Sequence, residues 1–242
     1  MKKFLKVLLI IVILFFILFF SYFYIGTYKA TDDSLKKLES TDIVKVTKIE
    51  KEYFLFDGPG TDKAIVFYPG AKVEYTSYAK LLSTIAENGI DAFLIKMPCN
   101  FALFDSYAAE NIISSYSYEH WFVGGHSLGG VAATNYAIAN PQNIEKIINF
   151  ASYPISEIPD NIEYISFYGS EDKILKESAY ENAKEYWPEN SAEYKIDGAN
   201  HSSFANYGEQ KGDGKATKTS DEVQNIVVEV IISEITENHD NI

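Results

Sequence analysis

The sequence predicts an α/β domain: a mostly parallel sheet with helices on both faces, preceded by an apolar amino-terminal helix. Three observations lead there. From about residue 43, short apolar runs rich in β-branched and aromatic residues alternate with stretches of helical spacing, the pattern of strand–helix units. The roughly 200 residues involved suit one such domain. Residues 7–25 carry no charge and follow Lys2, Lys3 and Lys6.

The apolar run is taken first. Its 19 residues, rising about 1.5 Å each as a helix, span roughly the 30 Å hydrocarbon core of a bilayer. A cleaved signal peptide is the alternative, but its apolar stretch is about 7–15 residues and ends in small residues. This one ends in Tyr-Phe-Tyr-Ile-Gly-Thr-Tyr, with no A-x-A pattern. Residues 1–29 are therefore expected to be an uncleaved anchor, with Tyr22, Tyr24 and Tyr28 at the interface. The lysines before the run put the amino terminus in the cytoplasm and the remaining chain outside it. Residues 30–42 are polar and read as a stalk, and 43–242 as the globular domain.

Composition narrows what that domain does. Hydrophobic residues make up 47% of the chain, which excludes disorder. The single Cys99 excludes an internal disulfide framework and a multi-thiolate zinc site; it reads as a small buried thiol. All 21 basic residues are lysine and the formal charge is −13. Without a guanidinium fork, such an acidic chain is not expected to bind nucleic acid.

The elements follow in order. Ile43–Ile49 and Tyr53–Phe56 read as an antiparallel pair joined near Glu50, closed by the turn 57–60. Ala64–Tyr68 is a buried strand ending at Pro69-Gly70. Glu74–Glu87 has Tyr78, Leu81, Leu82 and Ile85 at helical spacing and stops at Asn88-Gly89. Ile90–Ile95 is a strand, then an irregular stretch, then a helix from Asp105 to about Ser115. Trp121–Gly124 is a strand and Leu128–Ala139 a helix. Lys146–Phe150, Glu163–Tyr168 and Glu193–Ile196 complete the strands. The last helix begins near Ser220, with Val223, Ile226, Val227, Val230, Ile231 and Ile235 apolar.

Gly125-His126-Ser127-Leu128-Gly129 matches G-x-S-x-G between a predicted strand and a predicted helix, the context a nucleophile elbow needs. A serine hydroxyl is a weak nucleophile and needs a histidine base, oriented in turn by a carboxylate. On this architecture the chain order is Ser, acid, His. Of four histidines, His120 precedes the serine, His126 lies in the elbow and His239 is near the end. His201, in the loop beyond the strand 193–196, remains. The acid should follow the preceding strand, where Asp172 fits; Glu171 is the alternative, and Asp160 precedes the strand. The oxyanion hole needs two backbone N–H donors, expected from Leu128 and, in the loop after Ala64–Tyr68, from Ala71.

These segments resemble the α/β-hydrolase superfamily, and most closely its small alpha/beta hydrolase fold-5 group, akin to dienelactone-hydrolase-like proteins. The resemblance runs over Phe67–Val73, Lys96-Met97-Pro98, Gly124–Gly130, Ala151–Pro154, Tyr168–Asp172, Asn200-His201 and Tyr207–Gly214. Many relatives have histidine where Pro69 stands; a main-chain donor makes that difference harmless. The resemblance implies a serine hydrolase fold and does not fix a substrate. The leading expectation is hydrolysis of a small-molecule carboxylic ester through an acyl-enzyme, with no cofactor or metal; amide or thioester cleavage uses the same groups, and a non-catalytic binding role on the scaffold is a further alternative. Only residues 152–163 separate two strands where a cap could insert, and Pro154 and Pro159 lie in them. An open, shallow site is expected, suited to a small ester or a polymer end. Gly208–Ser220 lacks the repeated Asp/Asn spacing of a calcium loop and reads as a solvated, partly ordered loop bordering His201.

Overall fold

The computed structural model describes residues 2–50 and 52–236. Helix α1 (Lys2–Tyr24) stands clear of the domain for most of its length, its apolar side chains exposed except Phe23. It is the one helix among the described residues long and apolar enough to cross a membrane. Helix α2 (Asp32–Lys36) follows, capped by the Thr31 side chain.

Eight strands form one sheet: β1 (Lys45–Ile49), β2 (Tyr53–Asp57), β3 (Lys63–Tyr68), β4 (Asp91–Ile95), β5 (His120–His126), β6 (Lys146–Phe150), β7 (Glu163–Gly169) and β8 (Ser191–Ile196). Their order is β1-β2-β4-β3-β5-β6-β7-β8. The pairs β1–β2 and β2–β4 are antiparallel, and every other pair is parallel. Between them run α3 (Ala79–Glu87), α4 (Ala108–Ile113), α5 (Leu128–Ala139) and α6 (Glu177–Ala183), and α7 (Ser220–Thr236) follows β8.

Period-two alternation sorts the strand side chains between two cores. Ile65 and Phe67 join Leu82, Ile85, Val223, Val227 and Ile231 under α3 and α7. Ala64, Val66 and Tyr68 join Ile112, Ala132 and Tyr136 under α4 and α5. With both faces covered, the parallel strands read as continuous apolar runs.

Several elements differ from expectation for identifiable reasons. The helix expected at 74–87 starts with a 3₁₀ turn at Tyr75–Tyr78, and that expected at 105–115 is cut to α4. Helix α6 was not foreseen; only Tyr180 and Ala183 of Glu177–Ala183 are buried, too few to show a stripe. Cys99 is half-buried rather than buried, because it and Asn100 take left-handed φ values of 53° and 52° and turn the chain back toward Lys72. No helix lies between β6 and β7.

The polar segment 30–42 is laid against the domain. Ser34 is buried and donates to the Thr76 carbonyl at 2.7 Å. Tyr28 forms a parallel bridge with Val73, and the Thr31 N–H donates to the Asn206 carbonyl.

Candidate active site

The parallel strands deliver their carboxyl ends to one edge of the sheet, where open α/β sheets bind ligands. The turn from β5 into α5 is the sharpest feature there. Ser127 takes φ 53°, ψ −125°, a strained region for a residue with a Cβ. The bend closes because its flanks are glycine. A Cβ on Gly125 would fall 2.5 Å from the Gly129 carbonyl carbon, and one on Gly129 would fall 2.2 Å from the Tyr68 carbonyl oxygen.

Asp172 and His201 are brought together from the loops after β7 and β8. Asp172 Oδ1 accepts the N–H groups of Ile174 and Leu175, each at 2.8 Å. Its Oδ2 accepts from His201 Nδ1 at 2.8 Å, and both side chains are almost fully buried. A carboxylate can only accept, so the ring proton sits on Nδ1 and the Nε2 lone pair is left free. His201 and Ser127 line one cavity of about 230 Å³, with Leu128, Val131, Ser152 and Leu175 on its walls.

The competing groups lie elsewhere. Glu171 accepts from Ser170 Oγ at 3.1 Å, and Asp160 lies before β7, on the opposite edge. His120 meets Glu145 at the start of β5. His239 lies outside the described residues.

The loop after β3 has a selective gap in its hydrogen bonding. The Gly70 N–H donates to Tyr78 Oη, that of Lys72 to the Asn100 carbonyl, and that of Val73 to the Gly70 carbonyl. Between them the Ala71 N–H donates to no group among the described residues, nor does that of Leu128 at the start of α5. Both N–H groups are thus left unused, and Leu128 directly follows Ser127 and lines the same cavity.

Two supports were not anticipated from the sequence. His126, inside the elbow, is buried: its Nε2 bonds the His201 carbonyl at 3.0 Å and its Nδ1 bonds Tyr78 Oη at 2.8 Å. Because a carbonyl only accepts, Nε2 carries the proton, Tyr78 donates to Nδ1, and the same hydroxyl accepts the Gly70 N–H. One neutral imidazole therefore joins the loop after β3 to the loop that carries His201. Burial, then the nearby His201, hold its pKa well below the usual histidine value. Asp213 is the second support: its Oδ2 accepts the Ser202 N–H and its Oδ1 those of Lys173 and Gly214. The loop 208–220 is tied to both the acid and histidine loops at this point rather than freely solvated. No local signal marks either residue, since both roles depend on partners far along the chain.

No curated protein matches the sequence. Solved structures share the fold at low identity. A monoacylglycerol lipase from Paleococcus ferrophilus superposes with TM-score 0.59 at 14% identity, covering 76% of this chain and 99% of its own. Dienelactone hydrolase from Anabaena variabilis gives 0.56 at 14%, covering 77% and 96%. Est1E from Butyrivibrio proteoclasticus gives 0.56 at 12%, covering 80% and 99%. Residues 64–225, which hold the elbow, the Asp172–His201 pair and the tether at Asp213, match the alpha/beta hydrolase family, and the chain belongs to it.

Proposed function

We propose that the protein is a membrane-anchored serine hydrolase that cleaves a carboxylic ester through Ser127, His201 and Asp172. The observation that carries this reading is the strained Ser127 sharing a cavity with a histidine whose Nδ1 proton is held by a buried carboxylate. His201 Nε2 takes the Ser127 proton as Oγ attacks the ester carbonyl. The carbonyl oxygen gains negative charge and is met by the N–H groups of Ala71 and Leu128. His201 then protonates the departing alkoxide, leaving an acyl-serine. Water, deprotonated by the same imidazole, attacks the acyl-serine, and His201 returns that proton to Ser127 Oγ as the acid leaves. Every proton is handled by groups of this chain, so the reaction calls on no metal or cofactor.

An ester is favoured over an amide or thioester by the shared fold of a lipase and a dienelactone hydrolase and by the uncapped site. The length and exposure of α1 support an uncleaved anchor, and Lys2, Lys3 and Lys6 support a cytoplasmic amino terminus with the domain outside.

Labelling with a fluorophosphonate tests the chemistry: the parent chain should react and Ser127→Ala should not. Turnover of matched ester, amide and thioester substrates then ranks the leaving groups, and faster amide cleavage would overturn the ester assignment. Full-length mass retained on membranes through a high-salt wash tests the anchor; recovery of a soluble chain starting near residues 26–31 would refute it.

A further inference from the structure

We infer that the active-site edge faces the bilayer, and that the substrate is an ester-bearing amphiphile of that leaflet, hydrolysed while its acyl chain stays in the membrane. The inference rests on the reading of α1 as a retained anchor.

The tether is short. Helix α1 ends at Tyr24, and Tyr28 is already bridged to Val73 in the loop after β3. Four residues at no more than about 3.6 Å each reach about 14 Å, so the domain cannot move far from the helix end. A free stalk over 30–42 would have released it, but those residues are fastened down.

The tether is also fixed to the catalytic loops themselves. Lys72, next to Ala71, sets its ammonium over the Tyr22 ring at 3.9 Å. On the other side, the Lys211 N–H donates to Tyr28 Oη and the Tyr28 ring meets Tyr207. Residues 28–31 thus bridge the loop after β3 and the chain just beyond His201. Phe23, one residue before the end of α1, is buried against Phe101 and Phe104, in the stretch after β4. Those rings therefore sit at the depth of the last turn of the anchor.

The exposed apolar residues fall on the same edge. Beyond residue 30 the exposed large apolar side chains among the described residues are Leu35, Ile43, Leu103, Phe104, Tyr107 and Ile155. Four of the six follow the carboxyl ends of β4 and β6. A solvated edge would not concentrate them there, whereas an interface buries them. The cavity, at about 230 Å³, is below the roughly 300–1,000 Å³ of pockets that enclose a whole drug-sized ligand. It holds the ester and its near neighbours, and the chain beyond has apolar surroundings outside it.

Full-length protein reconstituted in phosphatidylcholine vesicles tests this. In a Cys99→Ala background, Ile155→Cys on the active-site edge and Asn143→Cys on the opposite edge each carry an environment-sensitive fluorophore. Headgroup nitroxide lipids should quench the label at 155 at least threefold more than that at 143. In a second arm, Leu103→Asp with Tyr107→Asp should lower turnover of a vesicle-embedded fluorogenic palmitoyl ester at least tenfold, with a water-soluble acetyl ester within twofold. Protein that fails to float with washed vesicles overturns the anchor and this inference together. Protein that floats but is quenched equally at both labels, or a folded aspartate variant that loses both turnovers alike or neither, overturns the inference alone. The quenching pair needs no aspartate variant and decides the orientation even where that variant does not fold.

Discussion

Asp172→Asn should abolish turnover without unfolding the protein, and the hydrogen bonds around Asp172 say why. An asparagine offers one acceptor oxygen and one donor NH₂ where the carboxylate offered two acceptors. With its oxygen on the N–H groups of Ile174 and Leu175 it keeps two bonds; reversed, it keeps one and sets NH₂ against two donors. Orphaning a buried donor costs about 1–3 kcal/mol, so the amide oxygen stays on the backbone pair. The NH₂ group then faces His201 Nδ1, which can receive it only when that nitrogen is unprotonated. The ring proton moves to Nε2 and the base is lost. Such a tautomer error lowers kcat about 10⁴-fold, or about 5.5 kcal/mol in barrier. Because all three bonds persist, stability to urea should change by less than about 1 kcal/mol. The assay is turnover of a chromogenic acetyl ester between pH 5 and 10, with nitrogen NMR of His201 reading the tautomer. Glu171→Gln is the control; it keeps its bond to Ser170 and should retain activity within about twofold. An Asp172→Asn enzyme within tenfold of the parent, or a Glu171→Gln variant that is worse, would refute the assignment.

Ser127→Ala, His201→Ala and their double variant should be equally inactive, each down about 10⁴-fold or more, since groups acting as a unit are non-additive; additive losses on the same ester would contradict a shared role. Asp213→Ala frees the N–H groups of Ser202 and Lys173 and should cost about 1–3 kcal/mol in urea unfolding, with a fall in kcat larger than any change in KM. His126 makes stability depend on pH. Its folded pKa lies below its unfolded value near 6.5, so the unfolded chain binds the extra proton and stability falls as pH drops below about 6.5. The loss reaches up to about 2 kcal/mol by pH 5. His126→Gln should flatten the difference between pH 7.5 and 5, and an unchanged slope would show that His126 is not the group responsible.

What could be read from the sequence was whatever local spacing encodes. The glycines around Ser127 mark a strand-to-helix turn because their spacing is itself local, although Gly129 also makes room for the remote Tyr68 carbonyl. Asp172 and His201 stand where loops after successive strands must stand in a parallel sheet, so chain order alone located them. The same logic failed wherever a partner is remote. His126 and Tyr78 are 48 residues apart, and from composition one is an elbow residue and the other a helix-face aromatic. Segment 30–42 is mostly polar, yet Ser34 is buried by a bond to Thr76 that no local pattern announces. Strand β5 runs on to His126 because neighbouring strands hold Gly124 and Gly125 in register, against the turn preference of a glycine pair.

The strap at Tyr28 also sets an order of assembly. Its partner Lys211 lies 183 residues further along the chain, and Thr31 waits for Asn206. At about 5–20 residues per second of synthesis, roughly 10–40 s separate the two halves of that contact. The nascent chain therefore carries its first helix and Ser127 well before the loops on either side of the cleft can be drawn together. A chain truncated just before Asn206 would hold Ser127, Asp172 and His201 yet lack the partners that fasten Tyr28 and Thr31 across the domain.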